Sequence, residues 1–168
     1  MPKNYDQSYF DRWYRGRGRV HAEGDIERKV ALAVPVAEYF LRRKLRNVLD
    51  VGCGEGAWQP VLRKMRPRLR YLGLEQPLDL VVCSDVMHYL PDAELRRGVP
   101  ELVQLTAGVA YFEVLTTEDD IVGDLEGLIR RPASWYRRLF QGAGLRSAGP
   151  YLWLAPTMQP TATGLEIL

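Results

Sequence analysis

The residues best able to do chemistry stand together. Val48-Leu49-Asp50-Val51-Gly52-Cys53-Gly54-Glu55-Gly56 joins an apolar run to a turn with three glycines, and a helix-forming stretch follows. Glycine lets a chain turn sharply and lets a ligand approach the backbone. The unpaired N–H groups of a helix N-terminus attract a carboxylate or phosphate. If the apolar run is a strand of an open parallel sheet, the turn lies at its carboxyl end, where such sheets take ligands. Glu75 closes the next strand-like run, and a carboxylate in that position accepts hydrogen bonds from both hydroxyls of a ribose. Gly52, Gly54 and Ala57 also fit the loose G-x-G-x-x-A pattern of dinucleotide sites. Asp50 argues otherwise: it would repel a diphosphate and welcome the ammonium of an amino acid. The chemistry expected here is the holding of a nucleoside that carries an amino acid.

Other chemical groups carry two readings each. His88 has an ordinary pKa near neutrality, so it is the candidate general base; the alternative is a structural histidine packed beside Tyr89. His21, the other histidine, stands in a Gly- and Arg-rich segment. The pairs Trp13–Tyr14 and Trp135–Tyr136 could wall a substrate pocket, or, for the second pair, belong to a helix core. Glu113, Glu118, Asp119, Asp120 and Asp124 could receive an amine, although a solvated acidic loop is the preferred reading. Arg15, Arg17 and Arg19, and the basic run from Arg63 to Arg70, could pair with phosphates; a solvated face explains them as well.

Elements must position these groups. From Ile26 to Lys44, Ile26, Val30, Ala33, Val34, Ala37, Phe40 and Leu41 recur at helical spacing, and the cations Arg42, Arg43 and Lys44 suit the end of a helix. Asn47–Val51 reads as a buried parallel strand, Ala57–Met65 as a helix, and Arg68–Glu75 and Leu80–Ser84 as strands. Asp92–Val99 starts a helix that Pro100–Thr106 continues after a kink. Val109–Leu115 is a strand, Thr116–Arg131 an acidic loop, Pro132–Gln141 a helix with Gly142 and Gly144 at its end, and Tyr151–Ala155 the last strand. Strand alternating with helix implies a mostly parallel, doubly wound α/β sheet.

With these residues in view, VLDVGCGEG resembles motif I of class I methyltransferases that use S-adenosylmethionine (SAM). LGLE resembles their second motif. LDLVVCSDVMHYL resembles the fourth-strand motif of their small-molecule branch, of bacterial type, with Asp85, Val86, Met87 and His88 keeping its D-x-V-x-H pattern. The resemblance runs from about residue 26 to 155 and implies a Rossmann-like fold. It implies that Asp50, Val51, Gly52, Cys53, Gly54 and Gly56 hold the methionyl part of SAM and that Glu75 holds the ribose. Ser84, Asp85 and Val86 would line the methyl-transfer site, with Trp13, Tyr14, Glu113, Trp135 and Tyr136 as substrate-pocket candidates. The Asn/Asp-Pro-Pro-Tyr/Phe segment of enzymes that methylate base amino groups is absent, and neither cysteine follows the proline expected of cytosine-carbon enzymes. The expected partner is a small molecule rather than nucleic acid. Two other classes stay open: a SAM-binding regulatory module without turnover, and an NAD-dependent oxidoreductase.

One departure from that family is geometric. A class I methyltransferase places a helix, a strand and another helix between its second and fourth strands. Here only Gln76, Pro77, Leu78 and Asp79 separate Glu75 from Leu80. The chain must run back along a strand, about 17 Å, and cross two strand spacings, about 10 Å. Five peptide steps reach at most about 18 Å, and a parallel crossover normally takes about a dozen residues. The third-strand region is therefore expected to be missing, either as residues absent from this sequence or as a true deletion, and adenine-binding residues cannot be named.

Bulk properties fit one domain: residues 1–25 as an N-terminal cap, 26–155 as the Rossmann-like core and 156–168 as a tail. The 168 residues, 46% of them hydrophobic, can bury a core. A net charge of +2, from 23 basic and 21 acidic side chains, is too mild to imply a nucleic-acid or membrane partner. Cys53 and Cys83 make neither a disulfide framework nor a metal site, so no metal is expected. No apolar run approaches the roughly 20 residues of a membrane span, and the N-terminus lacks the apolar core of a signal peptide. A cytoplasmic protein is expected; its oligomeric state is not legible.

Overall fold

The structure, a computed structural model, describes residues 7–15, 24–71, 77–121 and 124–168. A short helix α1 (Gln7–Phe10) runs into a π turn at Asp11–Arg15. Helix α2 (Asp25–Leu41) follows, then β1 (Asn47–Asp50), α3 (Trp58–Met65), β2 (Arg70–Tyr71) and β3 (Leu78–Ser84). The second half carries α4 (Asp92–Leu105), β4 (Thr106–Glu113), α5 (Ala133–Gly142), β5 (Arg146–Gly149) and β6 (Leu152–Leu154).

The described strands form one sheet in the order β2-β1-β3-β4-β6-β5. The first four are parallel, and β6 is antiparallel to both β4 and β5. Two-residue periodicity sends alternate side chains of β3 to opposite faces. Leu80 and Val82 meet α2 and α3 through Val34, Ala37 and Leu62. Val81 and Cys83 meet α4 and α5 through Val99, Val103 and Phe140. The sheet is thus covered on both faces, as the near-continuous apolar runs of its central strands require.

Several boundaries differ from the sequence expectation for physical reasons. Helix α2 stops at Leu41, because Arg42 turns left-handed with φ 54°. Its neighbours therefore leave the helix dipole and serve other partners. Arg43 forks onto the Asp79 carboxylate at 2.7 Å, and Lys44 reaches Glu38 at 3.1 Å. Helix α4 runs through Pro100, as expected, and ends at Leu105, one residue short of the expected Thr106. Strand β5 was not anticipated: Arg-Ser-Ala-Gly is neither apolar nor β-branched, and it lies half-buried or exposed at a sheet edge. The tail is not idle, since Met158, Ala162 and Ile167 pack on the first core.

The second strand, expected over residues 68–75, is Arg70–Tyr71 in the described chain. Residues 72–76, Glu75 among them, lie outside the described residues. Tyr71 and Leu80 both pair with Val48, from opposite sides of β1. Only residues 72–77 join these two parallel neighbours, and no counterpart of the family's third strand flanks β2 among the described residues.

Candidate active site

The strand order reverses at β1, where β2 lies on one side and β3 on the other. The carboxyl ends of two strands diverging from such a point leave a crevice. The glycine turn fills its floor. Gly52, Gly54 and Gly56 have φ of 70°, 52° and 73°, values that side-chain-bearing residues adopt only at a cost of roughly 1–2 kcal/mol each. A Cβ on Gly52 would run into the Val86 side chain, so Val86 supports the turn from behind rather than facing the crevice. The turn is closed by Gly56 N–H donating to the Cys53 carbonyl at 2.7 Å, and Val51 N–H is tied to Val82 O at 2.8 Å. Helix α3 begins immediately beyond.

A cleft of about 510 Å³ opens over this turn. Asp50, Gly52, Cys53, Gly54, Ser84 and Asp85 line it, so six residues named from the sequence are brought together. Asp50 is buried at 5% exposure, and its Oδ2 accepts a hydrogen bond from the Tyr71 hydroxyl. Burial raises the Asp50 carboxyl above the ordinary carboxylate range, and the Tyr71 bond only partly offsets this. The Tyr71 phenol is itself raised, by burial first and then by its bond to Asp50. Cys53 is exposed; Cys83 is buried behind the strand and its thiol is pushed up to about 12 by burial and by the nearby charges of Asp50 and Asp85. That thiol is inert at neutral pH.

The sequence reading did not single out Tyr9, Phe10, Asp25, Glu27 or Lys29 around this cleft. Phe10 of α1 faces Gly54, where an added Cβ would stand 3.6 Å from its ring. Arg15 pairs with Glu55 in the turn, and Tyr9 donates to Asp124 at 3.0 Å, so the N-terminal segment spans the cleft mouth. Asp25 and Glu27, at the start of α2, line the same cleft. Lys29 reaches the sheet edge, with Nζ 2.6 Å from Glu113 Oε2 and 3.6 Å from Asp85 Oδ2. A signal for Lys29 did exist in the sequence. It falls on the apolar stripe between Ile26 and Ala33, where a cation must find carboxylates or leave the stripe.

Other candidates are placed elsewhere. His88 is 1% exposed and its Nδ1 accepts the Leu115 N–H at 3.2 Å; its ring packs on Tyr89 at 4.4 Å. It is not among the residues lining the cleft. Glu113 ends β4 behind Asp85. Trp135 and Tyr136 lie on α5, on the opposite face of the sheet, where Arg131 stacks on the Trp135 ring at 4.7 Å and donates to the Tyr136 hydroxyl at 3.1 Å. Trp13 is half-buried beneath Arg12, 4.9 Å from its ring centroid, away from the cleft lining. The Tyr14 side chain, Glu75 and His21 lie outside the described residues.

Comparison with known proteins bears out the fold. The chain aligns over 92% of its length with 93% of a sugar N-methyltransferase from a Streptoalloteichus species, at TM-score 0.61 and 16% identity. It covers 92% of the SAM-bound amino pentose methyltransferase of Micromonospora echinaspora, using 88% of its own residues, at TM-score 0.55 and 19% identity. Human N-acetylserotonin methyltransferase in complex with SAM matches over 90% of this chain and 60% of its own, at TM-score 0.53 and 15% identity. The chain therefore has the Rossmann-like fold of class I methyltransferases. In sequence, it is 33% identical over 96 residues to the ribosomal RNA large subunit methyltransferase E of Sphingopyxis alaskensis. That segment is 51% of this chain and 41% of the relative. No family model matches the chain.

Proposed function

We propose that this chain transfers a methyl group from SAM to a small-molecule acceptor. The observation that carries the reading is the turn itself. Three glycines at positive φ fold over a buried aspartate at the reversal of strand order and open onto the cleft. The described donors suit the cofactor: Asp50 would receive its ammonium and the backbone from Val51 to Gly56 its methionyl chain, while the ribose is assigned to Glu75 from the resemblance alone. Ser84 and Asp85 stand at the mouth, where the acceptor would enter. When bound, SAM supplies an electrophilic methyl group on a sulfonium. The chain's own task is to align a nucleophile with it and to exclude water, and Phe10 beside Gly54 serves the second end. The SAM complexes of two proteins of the same fold support the assignment.

The ribosomal RNA relative favours a second reading, an RNA acceptor. Asp25, Glu27, Glu55 and Asp85 along the cleft would repel phosphates, so the small-molecule reading is preferred. Isothermal titration with SAM and with NADH, followed by transfer from labelled SAM over a metabolite panel and an rRNA fragment, tests both. SAM binding with turnover on metabolites is expected. Binding without turnover would leave a regulatory module, and NADH binding without SAM binding an oxidoreductase. Gly54→Val should abolish SAM binding, because it puts a branched side chain at positive φ against Phe10; retained affinity would mean the site is elsewhere.

A further inference from the structure

Four side chains, Lys29, Ser84, Asp85 and Glu113, from three elements converge at the cleft mouth. Lys29, from α2, is largely buried and bridges Glu113 and Asp85. Ser84 Oγ donates to Glu113 Oε2 at 2.5 Å and lies 3.4 Å from Asp85 Oδ2. Ser84 and Asp85 line the cleft, whereas Lys29 and Glu113 are not among its lining residues. Asp85 faces it from just beyond the end of β3. Its backbone is left-handed, with φ 59°, a conformation an aspartate keeps only where its surroundings impose it.

Charge around the cleft is unequal. Asp25, Glu27, Asp50, Glu55 and Asp85 line it, with Glu113 adjoining. Arg28 pairs with Asp25, Arg15 with Glu55, and Lys29 with Glu113 and Asp85. A sulfonium amino acid adds one net positive charge. Counted over the described residues, the wall stays negative with that ligand seated, so a second ligand is favoured as a cation and disfavoured as an anion.

Resting on the proposed methyl transfer, we infer that the acceptor is an amine, that Asp85 is the catalytic residue facing it, and that Lys29 is the positioning residue that orients Asp85. The amine arrives as an ammonium and gives one proton to the Asp85 carboxylate. The freed nitrogen lone pair then forms the N–C bond to the methyl group as the C–S bond breaks, its electron pair staying on sulfur, which leaves as a neutral thioether. The product carries the positive charge as a methylated ammonium, and Asp85 returns its proton to water.

Matched probes test this: benzylamine against benzyl alcohol, and glucosamine against glucose. Each is titrated calorimetrically into protein saturated with S-adenosylhomocysteine, and each is offered for transfer from labelled SAM. The amines are expected to bind on the order of tenfold tighter than their alcohols and to be the members methylated. Asp85→Asn should erase that preference. Lys29→Met should lower kcat on the order of tenfold without raising KM, because the wall becomes more negative while Asp85 loses its tether; Lys29→Arg should restore kcat. A merely structural Lys29 would move thermal stability and leave this split unchanged. Equal affinity for amines and alcohols, no binding of any probe to the loaded protein, or Lys29→Met raising KM with kcat intact would overturn the inference. Failure of the wild-type protein to bind SAM or S-adenosylhomocysteine would instead overturn the cofactor reading beneath it.

Discussion

Asp50 shows how a single residue can serve ligand binding at the expense of the empty fold. Its carboxyl is raised by burial, so its contribution to stability is present below the unfolded value of about 3.9 and lost as pH rises through the folded value. At pH 7 the buried charge is a cost. Asp50→Asn keeps an acceptor for the Tyr71 hydroxyl and removes that charge. It should raise the thermal midpoint of the ligand-free protein at pH 7 by a few degrees and weaken SAM binding by on the order of tenfold or more, as thermal unfolding and calorimetry would measure. Asp50, Gly52 and Gly54 were legible in the sequence because one turn brings them together. Lys29, Ser84 and Glu113 gave less: their meeting is made by sheet registry across more than half the chain, which no local pattern reports.

At the scale of elements, the turn and its supports divide the glycines by what lies beside them. Nothing stands within 4 Å of a Cβ placed on Gly56, whereas one placed on Gly52 collides with Val86. Gly56→Ala should cost only the strain of positive φ, about 1 kcal/mol, while Gly52→Ala should cost distinctly more because the loop after β3 must also move. Urea unfolding of the two variants checks the order. Helix α2 was readable from apolar spacing, α3 from its place after the glycine turn, and α5 from the proline before it and the glycines at its end, while β1 and β3 stood out as short, mainly apolar runs. Strand β5 did not, since its residues are ordered by pairing with β6 rather than by burial of their own side chains. The described part of β2 starts two residues later than expected, at Arg70.

Across the whole molecule, two anchored carboxylates set the acid limit. Glu38 is held at about 2, first by its bonds to Arg66 and against some burial. At Asp79 burial works to raise the carboxyl, but the Arg43 fork and the backbone donors of the β1 approach hold it below the usual range. Depressed values mean that this stability is present above the unfolded values of about 4 and is lost as pH falls through the folded ones. The thermal midpoint should therefore drop between about pH 4.5 and 2. Glu38→Gln should start lower at pH 7 and converge with the wild type near the acid end, which a pH series of melting curves would reveal. The two-layer covering of the sheet was visible in the alternation of strand and helix. The acidic wall was not, because Asp25, Glu55 and Asp85 come from separate elements and only the fold assembles them.

The acidic segment after β4 has a narrow neck. Thr117 N–H meets the Arg131 carbonyl at 3.0 Å, and Arg131 is fastened to Asp92 and to the Leu90 carbonyl at 2.7 Å. The excursion between these pins begins and ends at one point of the scaffold. Doubling its length would cost only about 0.6 kcal/mol of closure entropy. A foreign sequence grafted between Thr117 and Arg131 therefore closes at little entropic cost, provided that it replaces the bond from Ile129 N–H to the His88 carbonyl at 2.8 Å and those that Asp124 accepts from Tyr89 at 2.9 Å and Tyr9 at 3.0 Å.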